Sequence, residues 1–307
     1  MTDFLFDREV SVEFINRDDP SDVVTVDDPG IIGREPLKIT FQVEKQVSTE
    51  PNRAFIEIWN LADDTAARIN FRKPLLEFRF GRKVNLFAGY REQSKKIFSG
   101  VVISAITRGE PPLKVTRIEC RNIFYELMQL PIQRTFTKGD QKSHAILNIL
   151  KDIGATVEGA AKGVLRTRLA GQVFKDTVKF EGSAYNVIDK INRGALGTIN
   201  VYFDDIGTSF NPVGVASDDP VIIYDAEEGQ LIGVPEPTEI GADFKVLLNN
   251  ELKISQLVVL ISNAIESFFS NGHFVVKQVI HNGSNRADGP FESRVSSIFD
   301  RTNQAGP

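Results

Sequence analysis

Two antiparallel β-barrels separated by a small α/β insert is the fold class this β-rich α+β sequence predicts. Three observations carry it. Residues 1–120 hold seven or eight short alternating segments and one short helix, the pattern of a closed or nearly closed antiparallel barrel. Residues 131–225 switch to helical spacing between a few strands. From Gln230 the alternation resumes in five further segments. The expected division is residues 1–130 as a first barrel with a short helix, 131–229 as the insert and 230–307 as a second barrel, completed by a strand from 173–180.

Each element follows from its pattern. Glu9–Asn16 alternates Val10, Val12 and Phe14 against Glu9, Ser11 and Glu13, a half-buried strand. Arg17–Gly33 is acidic and carries Pro20, Pro29 and Gly30, so Asp18–Asp28 reads as a loop around a short strand, Asp22–Val26. Lys38–Ser48 alternates through Ile39, Phe41 and Val43. The stretch AFIEIWNLADDTAARINF (Ala54–Phe71) is a strand feeding a helix. Ala54, Ile56 and Ile58 share one face and Phe55, Glu57 and Trp59 the other. Asn60 is the expected N-cap, with Asp63 three residues on near the positive end of the helix. Val84–Tyr90 and Lys95–Val102 flank the turn Arg91–Ser94 as a hairpin, with Gly89 and Gly100 where a barrel bends. Val101–Arg108 turns at Gly109–Pro112 and returns as Leu113–Cys120.

The middle reads differently. Arg121–Leu130 places Ile123, Leu127 and Leu130 at helical spacing and stops at Pro131. Ser143–Ile153 buries Ala145, Ile146, Ile149, Leu150 and Ile153 in one stripe. Gly154–Gly163 reads as small and flexible. Ser183–Gly194 is a third helix capped by Ser183, and Thr198–Asp204 and Pro220–Asp225 are strands. In the last part, Gln230–Val234, Phe244–Leu248, Gln256–Ile261, Gly272–His281 and Glu292–Phe299 are the strand candidates.

Charge is uneven along the 307 residues. The net charge is −5, made of −7 over residues 1–60, +8 over 61–150 and −6 over 151–307. Such blocks favour oriented association with complementary neighbours. The only cysteine is Cys120, which excludes an intrachain disulfide and fits assembly in a reducing cytoplasm. The start, MTDFLFDREVSVEF, lacks the basic region and apolar run of a secretory leader. The longest apolar run, Leu257–Ile261, is strand-length, well short of the ~18 residues of a membrane-spanning helix.

Catalytic patterns are poor. His144, His273 and His281 are dispersed, and the last two fall at opposite ends of one expected strand on the same face, so no metal site is expected. No nucleophile elbow, metalloprotease helix, phosphate loop or dinucleotide fingerprint occurs. Adjacent carboxylates such as Asp63/Asp64 and Asp218/Asp219 suit solvated turns rather than an acid–base pair, because neighbours on a strand face opposite ways. No catalytic residue, cofactor or metal is expected. The cationic stretch FRKPLLEFRFGRK (Phe71–Lys83) interleaves Phe78 and Phe80 with basic residues, as a base-stacking groove does, but a strand with alternate residues buried explains it equally well.

The corner FIEIWNLADDTAARI (Phe55–Ile69) resembles the first-barrel signature of baseplate hub proteins of contractile and long-tailed bacteriophages. There a strand ending in Asn-Leu runs into a short helix with Thr and Arg, as Asn60, Leu61, Thr65 and Arg68 do here. VNLFAGYREQSKKIFSGVVISA (Val84–Ala105) is similar to that family's next hairpin. RIECRNIFYELMQLPIQRTFTKGDQKSHAILNIL (Arg117–Leu150) is similar to its strand and two helices. FKVLLNNELKISQLVVLIS and GHFVVKQVIHNGSNRADGPFESRVSSI resemble its closing barrel. Asn250 stands where the family often has proline.

The resemblance implies a non-enzymatic homotrimer with two tube-like barrels per subunit. They form a pseudo-sixfold ring between the tail tube protein and a spike or tip protein, beside other baseplate proteins and the tape measure protein. DNA is then only a passing polymer, and the protein belongs to the virion, assembled in the host cytoplasm. Contact candidates are Asp18 and Asp19 in the acidic loop, Trp59 on the outer face, Arg72, Lys73, Arg79, Arg82 and Lys83 in the cationic run, and Phe268 and Phe269 in a late loop, with Asn282–Pro290 as a further contact loop. A hub of a related contractile injection or secretion apparatus and a cell-wall hydrolase on a β-rich scaffold are the rival readings.

Overall fold

A computed structural model describes residues 7–26, 37–48, 50–72, 80–91, 93–110, 112–155, 157, 159–194, 199–203, 208–212, 214–262 and 272–300. In chain order the first part gives β1 (Arg8–Ile15), β2 (Val23–Val26), β3 (Ile39–Gln46), β4 (Arg53–Trp59), helix α1 (Asp63–Ile69), β5 (Phe71–Arg72), β6 (Lys83–Tyr90), β7 (Lys95–Arg108) and β8 (Val115–Asn122). The middle gives α2 (Phe124–Met128), β9 (Pro131–Phe136), α3 (Lys142–Asp152), α4 (Gly159–Arg168), β10 (Val178–Ser183), α5 (Ala184–Arg193), β11 (Ile199–Phe203) and β12 (Thr208–Pro212). The last part gives β13 (Ile222–Asp225), β14 (Glu236–Thr238), β15 (Gly241–Leu247), β16 (Leu257–Ile261), β17 (His273–Ser284) and β18 (Phe291–Phe299).

The first and last parts form one sheet. Its path runs β14-β15-β18-β17-β3-β4-β8-β7-β6-β1-β2, with β13–β16 joined to β17 and β5 to β7. The ends of the path, β14 and β2, do not pair with each other among the described residues. The pairing therefore draws one large open sheet where two closed barrels were expected. The reason lies in β17, which is long enough to serve two neighbours on one edge. Its first residues pair with β16 (Val275 opposite Leu257) and its later ones with β3 (His281 opposite Val43).

Along the core face the apolar side chains gather in two clusters. One is built from β1, β3, β4, β6, β7 and β8, with Leu61, Ala66 and Ile69 from the α1 corner and Leu248 and Phe291 from the last part. The other contains Tyr224, Phe244, Val258, Phe274, Val279 and Val295. Between them sits a polar seam: buried His281 and buried Ser293 face each other across β17 and β18.

Residues 124–191 have a core of their own, in which α2, α3, α4 and α5 pack on the two-stranded sheet β9–β10. Phe136, Phe174 and Phe180 meet there at ring separations of 5.4 to 6.0 Å. β10 is hydrogen-bonded to β9, so it belongs to the insert and does not complete a C-terminal barrel. Conversely β13, expected in the insert, pairs in parallel with β16 in the large sheet.

Other local expectations also change. Asn60 takes a left-handed conformation with φ of 55° and turns the corner, while Ala62 occupies the N-cap without a side-chain bond. Asp63 instead pairs with the buried Lys114 at 2.5 Å. The flexible reading of 154–163 yields partly to α4, whose Leu165, with Leu169 just beyond its end, is buried in the insert core. Gln230–Val234 is not a strand: Gly233 has φ of 79° and Pro235 follows, leaving one isolated bridge from Leu231 to Val246. β7 is one strand where two were expected, because a bulge between Val102 and Ser104 lets it bend without ending.

Candidate assembly surfaces

The acidic loop, the end of α1 and the start of β6 meet at one end of the first cluster. Asp22 sits at the centre. Its carboxylate takes Arg82 at 2.6 Å, Asn16 at 2.9 Å and also Arg68. These hydrogen bonds, Arg82 foremost, hold the Asp22 carboxyl well below the usual carboxylate range. Arg82 also donates to the Arg68 and Asp22 carbonyls at 2.9 and 3.0 Å. It is thus an internal pin, whereas Lys83 beside it is exposed. Asp18 and Asp19 lie exposed in the turn between β1 and β2, Asp19 accepting from the Ser21 hydroxyl at 2.6 Å. The backbone of Arg72 lies in β5, paired with Ser104. Lys73, Arg79, Phe268 and Phe269 lie outside the described residues.

Trp59 closes β4 on the face opposite the core, with Lys38 Nζ 5.3 Å from its ring centre and Lys38 in turn 3.8 Å from Asp288. The segment after β17, expected as a free contact loop, is tied down from two sides. Arg8 donates to the carbonyls of Arg286 at 2.7 Å and Gly289 at 2.8 Å, and stacks over Phe291. Asn285 bridges Ile39 N–H and the Leu37 carbonyl at 2.9 and 2.7 Å. Asn250, the departure from proline, donates to the Ala88 and Gln93 carbonyls at 3.0 and 2.7 Å and so fastens the last part to the β6–β7 hairpin. Single polar residues carry no periodic signal, and sequence reasoning missed the tying roles of Arg8, Asn285 and Asn250.

Sequence reasoning also missed a charge pattern across the solvent face of the central sheet. The registers put Arg294, Ile280, Glu44, Arg53 and Arg121 in one lateral row, and Glu292, Asn282, Gln42, Phe55 and Glu119 in the next. Every arginine in these strands' outer rows has a glutamate partner: Arg53 with Glu44, Arg117 with Glu57 at 2.9 Å, Arg121 with Glu119 at 3.4 Å and Arg294 with Glu292 at 2.8 Å. Exposed pairs of this kind contribute roughly 0–1 kcal/mol each to stability. Their larger effect is on the field, since the face carries cations without presenting net positive charge.

The histidines do not form a site. The bulge in β17 between Val276 and Gln278 reverses the alternation, so His281 faces the core and His273 the other side. The expected shared face is lost because one extra residue shifts every later side chain. Among the described residues no group of three histidine, cysteine or acidic side chains comes together as a metal site.

The same fold is found in solved phage tail proteins. The 43 kDa tail protein of prophage MuSo2 from Shewanella oneidensis superposes with a TM-score of 0.56 at 9% identity, covering 95% of this chain and 98% of that one. The tail protein from Neisseria meningitidis MC58 gives 0.58 at 8% identity, covering 95% and 97%. The Escherichia coli c3393 protein, described as a type VI secretion component similar to T4 tail proteins gp27 and gp5, gives 0.54 at 10% identity over 86% and 74%. No curated protein matches the chain in sequence. The family model for baseplate hub gp41 matches residues 21–296, and the chain belongs to that family. It is a structural hub protein of the phage tail baseplate.

Proposed function

We propose that this hub is a homotrimer whose subunits, each with two lobes, form a ring of pseudo-sixfold symmetry between the tail tube and the central spike or tip, and that DNA passes through it. The observation that carries this reading is the family match over residues 21–296, which takes in the insert and most of both apolar clusters of the sheet, β1 alone of the first cluster's strands lying before it. Two clusters per chain support the pseudo-sixfold arrangement, since three copies bring six sheet lobes to one ring. The solvent face of paired arginines and glutamates supports DNA passage. Free lysines and arginines supply nearly all non-specific affinity for DNA, and neutralised ones let a phosphate chain slide. The role is mechanical rather than catalytic. Its partners are copies of itself, the tail tube protein, the spike or tip protein, other baseplate proteins and the tape measure protein, met first in the host cytoplasm.

Native mass spectrometry of the full chain tests this. A species near 103 kDa, about three times the 34.2 kDa chain, is expected. A chain that stays monomeric at high concentration, alone and with its tail tube protein, overturns it. A second reading, the hub of a contractile injection or secretion apparatus, is favoured by the likeness to the type VI component and by a TM-score of 0.50 to the PdpA–VgrG complex structure. Purification of the native particle separates the two: DNA-filled heads on the same tails mark a phage. Clearing on a peptidoglycan zymogram would favour a cell-wall hydrolase and refute the mechanical role.

A further inference from the structure

Three neighbouring strand segments of the last part break the rule that one face of an antiparallel sheet is polar. Val221–Tyr224, Leu257–Ile261 and Phe274–Val276 read as unbroken apolar runs. Such runs belong to strands covered on both faces, and the parallel pairing of β13 with β16 is of the type that occurs buried on both sides. One face is covered: Tyr224, Val258, Leu260, Phe274 and Val276 lie in the core. The registers place Ile223 beside Val259 and Leu257 beside Val275 on the other face, which is buried at Val275 and open along β13 and the end of β16. There Ile223 is 56% exposed, Val221 50% and Ile261 40%. Around this patch stand Asp218, Asp225, Glu227 and Glu228, and residues 214–300 hold 13 acidic against 5 basic side chains.

The complementary surface is on the same chain. Residues 131–194 hold 11 basic and 6 acidic side chains, the reverse balance. At one end of the insert the backbone bonds Gly139 N–H to the Phe174 carbonyl and Phe174 N–H to the Asp140 carbonyl bring Lys138 and Lys175 to the two sides of one ladder; Asp140 and Asp176 lie on the same two segments, the Asp140 carboxylate accepting from the Thr137 N–H and hydroxyl, and with Lys142 the end carries three cations to two anions. Val173 lies exposed there, and Lys142 stands beside it, its ammonium on the Gly194 carbonyl at 2.5 Å. Lys138, Lys175, Glu227 and Glu228 are in no ion pair among the described residues. Long lysine stems cover apolar surface while their heads reach a carboxylate rim.

We propose that the apolar outer face of β13–β16, with its acidic rim, docks the cationic end of the insert of a second copy of this chain, a head-to-tail contact. The proposal rests on the ring reading above and names the surfaces that close it. Face-to-face pairing of two such patches would set acidic rim against acidic rim, whereas a head-to-tail contact matches charge and closes into a ring when the rotation is right.

The test is a charge swap on the full chain, read by native mass spectrometry and light scattering. Glu227→Lys with Glu228→Lys, and separately Lys138→Glu with Lys175→Glu, are each expected to raise the dissociation constant of the ring at least tenfold at low salt. These side chains are exposed, so folding is unaffected, and unchanged thermal melts check it. Combining the four reversals in one chain restores the ring. Ile223→Asp gives the same loss at high salt, where the charged rim is screened. A ring that forms normally in both single-patch variants, or that the combined variant fails to restore, overturns the docking and leaves the hub reading standing. A wild-type chain that never forms a ring overturns both.

Discussion

Substituting His281 should remove a specific part of the protein's acid sensitivity. The ring is 1% exposed, its Nδ1 lies 2.8 Å from Ser293 Oγ, and Ser293 Oγ accepts the Asn249 N–H at 3.1 Å. The Ser293 hydroxyl thus links the imidazole to the backbone of the last part. Burial foremost, and then the positive charge of Lys45 on the neighbouring strand, lower the His281 pKa from 6.5 to about 3. The sign follows from which state binds the proton. Below pH 6.5 the unfolded chain takes a proton that the folded chain refuses until about pH 3, so stability falls as pH drops through this window. Between pH 7.5 and 5 the loss from this one residue is about 2 kcal/mol, nearly all of it from protonation of the unfolded state. Urea unfolding of wild type and His281→Gln at both pH values isolates it. The variant is less stable at pH 7.5, because it loses the packed ring, but its stability should fall about 2 kcal/mol less on acidification. Parallel pH profiles for the two chains would refute the assignment of a buried neutral histidine at the seam.

Two further outcomes follow from the sheet. A Cβ at Gly283 would lie 2.1 Å from the Phe41 ring, which is flanked edge-on by Phe291, so Gly283→Ala should cost about 1–3 kcal/mol in denaturant unfolding, and an unchanged midpoint would contradict the packing. Neutralising Glu44, Glu57, Glu119 and Glu292 to glutamine leaves four arginines unpaired; filter binding to duplex DNA should then appear at low salt with a log–log salt slope of roughly −3 to −4, and an absence of binding would show that the glutamates do not mask the face.

Much of the architecture was legible because it rests on alternation. Ala54, Ile56 and Ile58 are all but fully buried and Phe55 is exposed, as the period-2 pattern of that strand requires. The stripe of α3 and the Ser183 cap of α5, whose hydroxyl accepts the Asn186 N–H at 3.3 Å, were equally plain. Strand neighbours were not legible. The alternation of Ile39, Phe41 and Val43 fixes which face is buried but says nothing of whether β4 or β17 lies alongside, so the joining of first and last parts stayed hidden. The bulge in β17 falls at Lys277, where two polar residues, Lys277 and Gln278, interrupt the run, and its shift misplaced His273 relative to His281. Charge blocks pointed to polar surfaces, yet could not distinguish Arg82, whose donors are used inside the chain, from Lys83, which is exposed.

The union of the two sheet clusters bears on how a hub transmits load. Domains joined by a linker and a modest interface move relative to one another by default. Here the junction is a ladder, with Gln278–Ser284 paired to Thr40–Gln46, so relative movement of the two clusters must break backbone hydrogen bonds in series. Three further ties span it: Phe291 packs on Phe41 and Tyr90 at 6.4 and 5.2 Å, Arg8 holds the loop after β17, and Asn250 reaches the β6–β7 hairpin. The insert leaves the sheet after α2 and has its own core, so it adds contacts without interrupting that ladder. A chain built in this way keeps its stiffness in the sheet. The strands on either side of β17, β3 and β18, are held in register with each other through it.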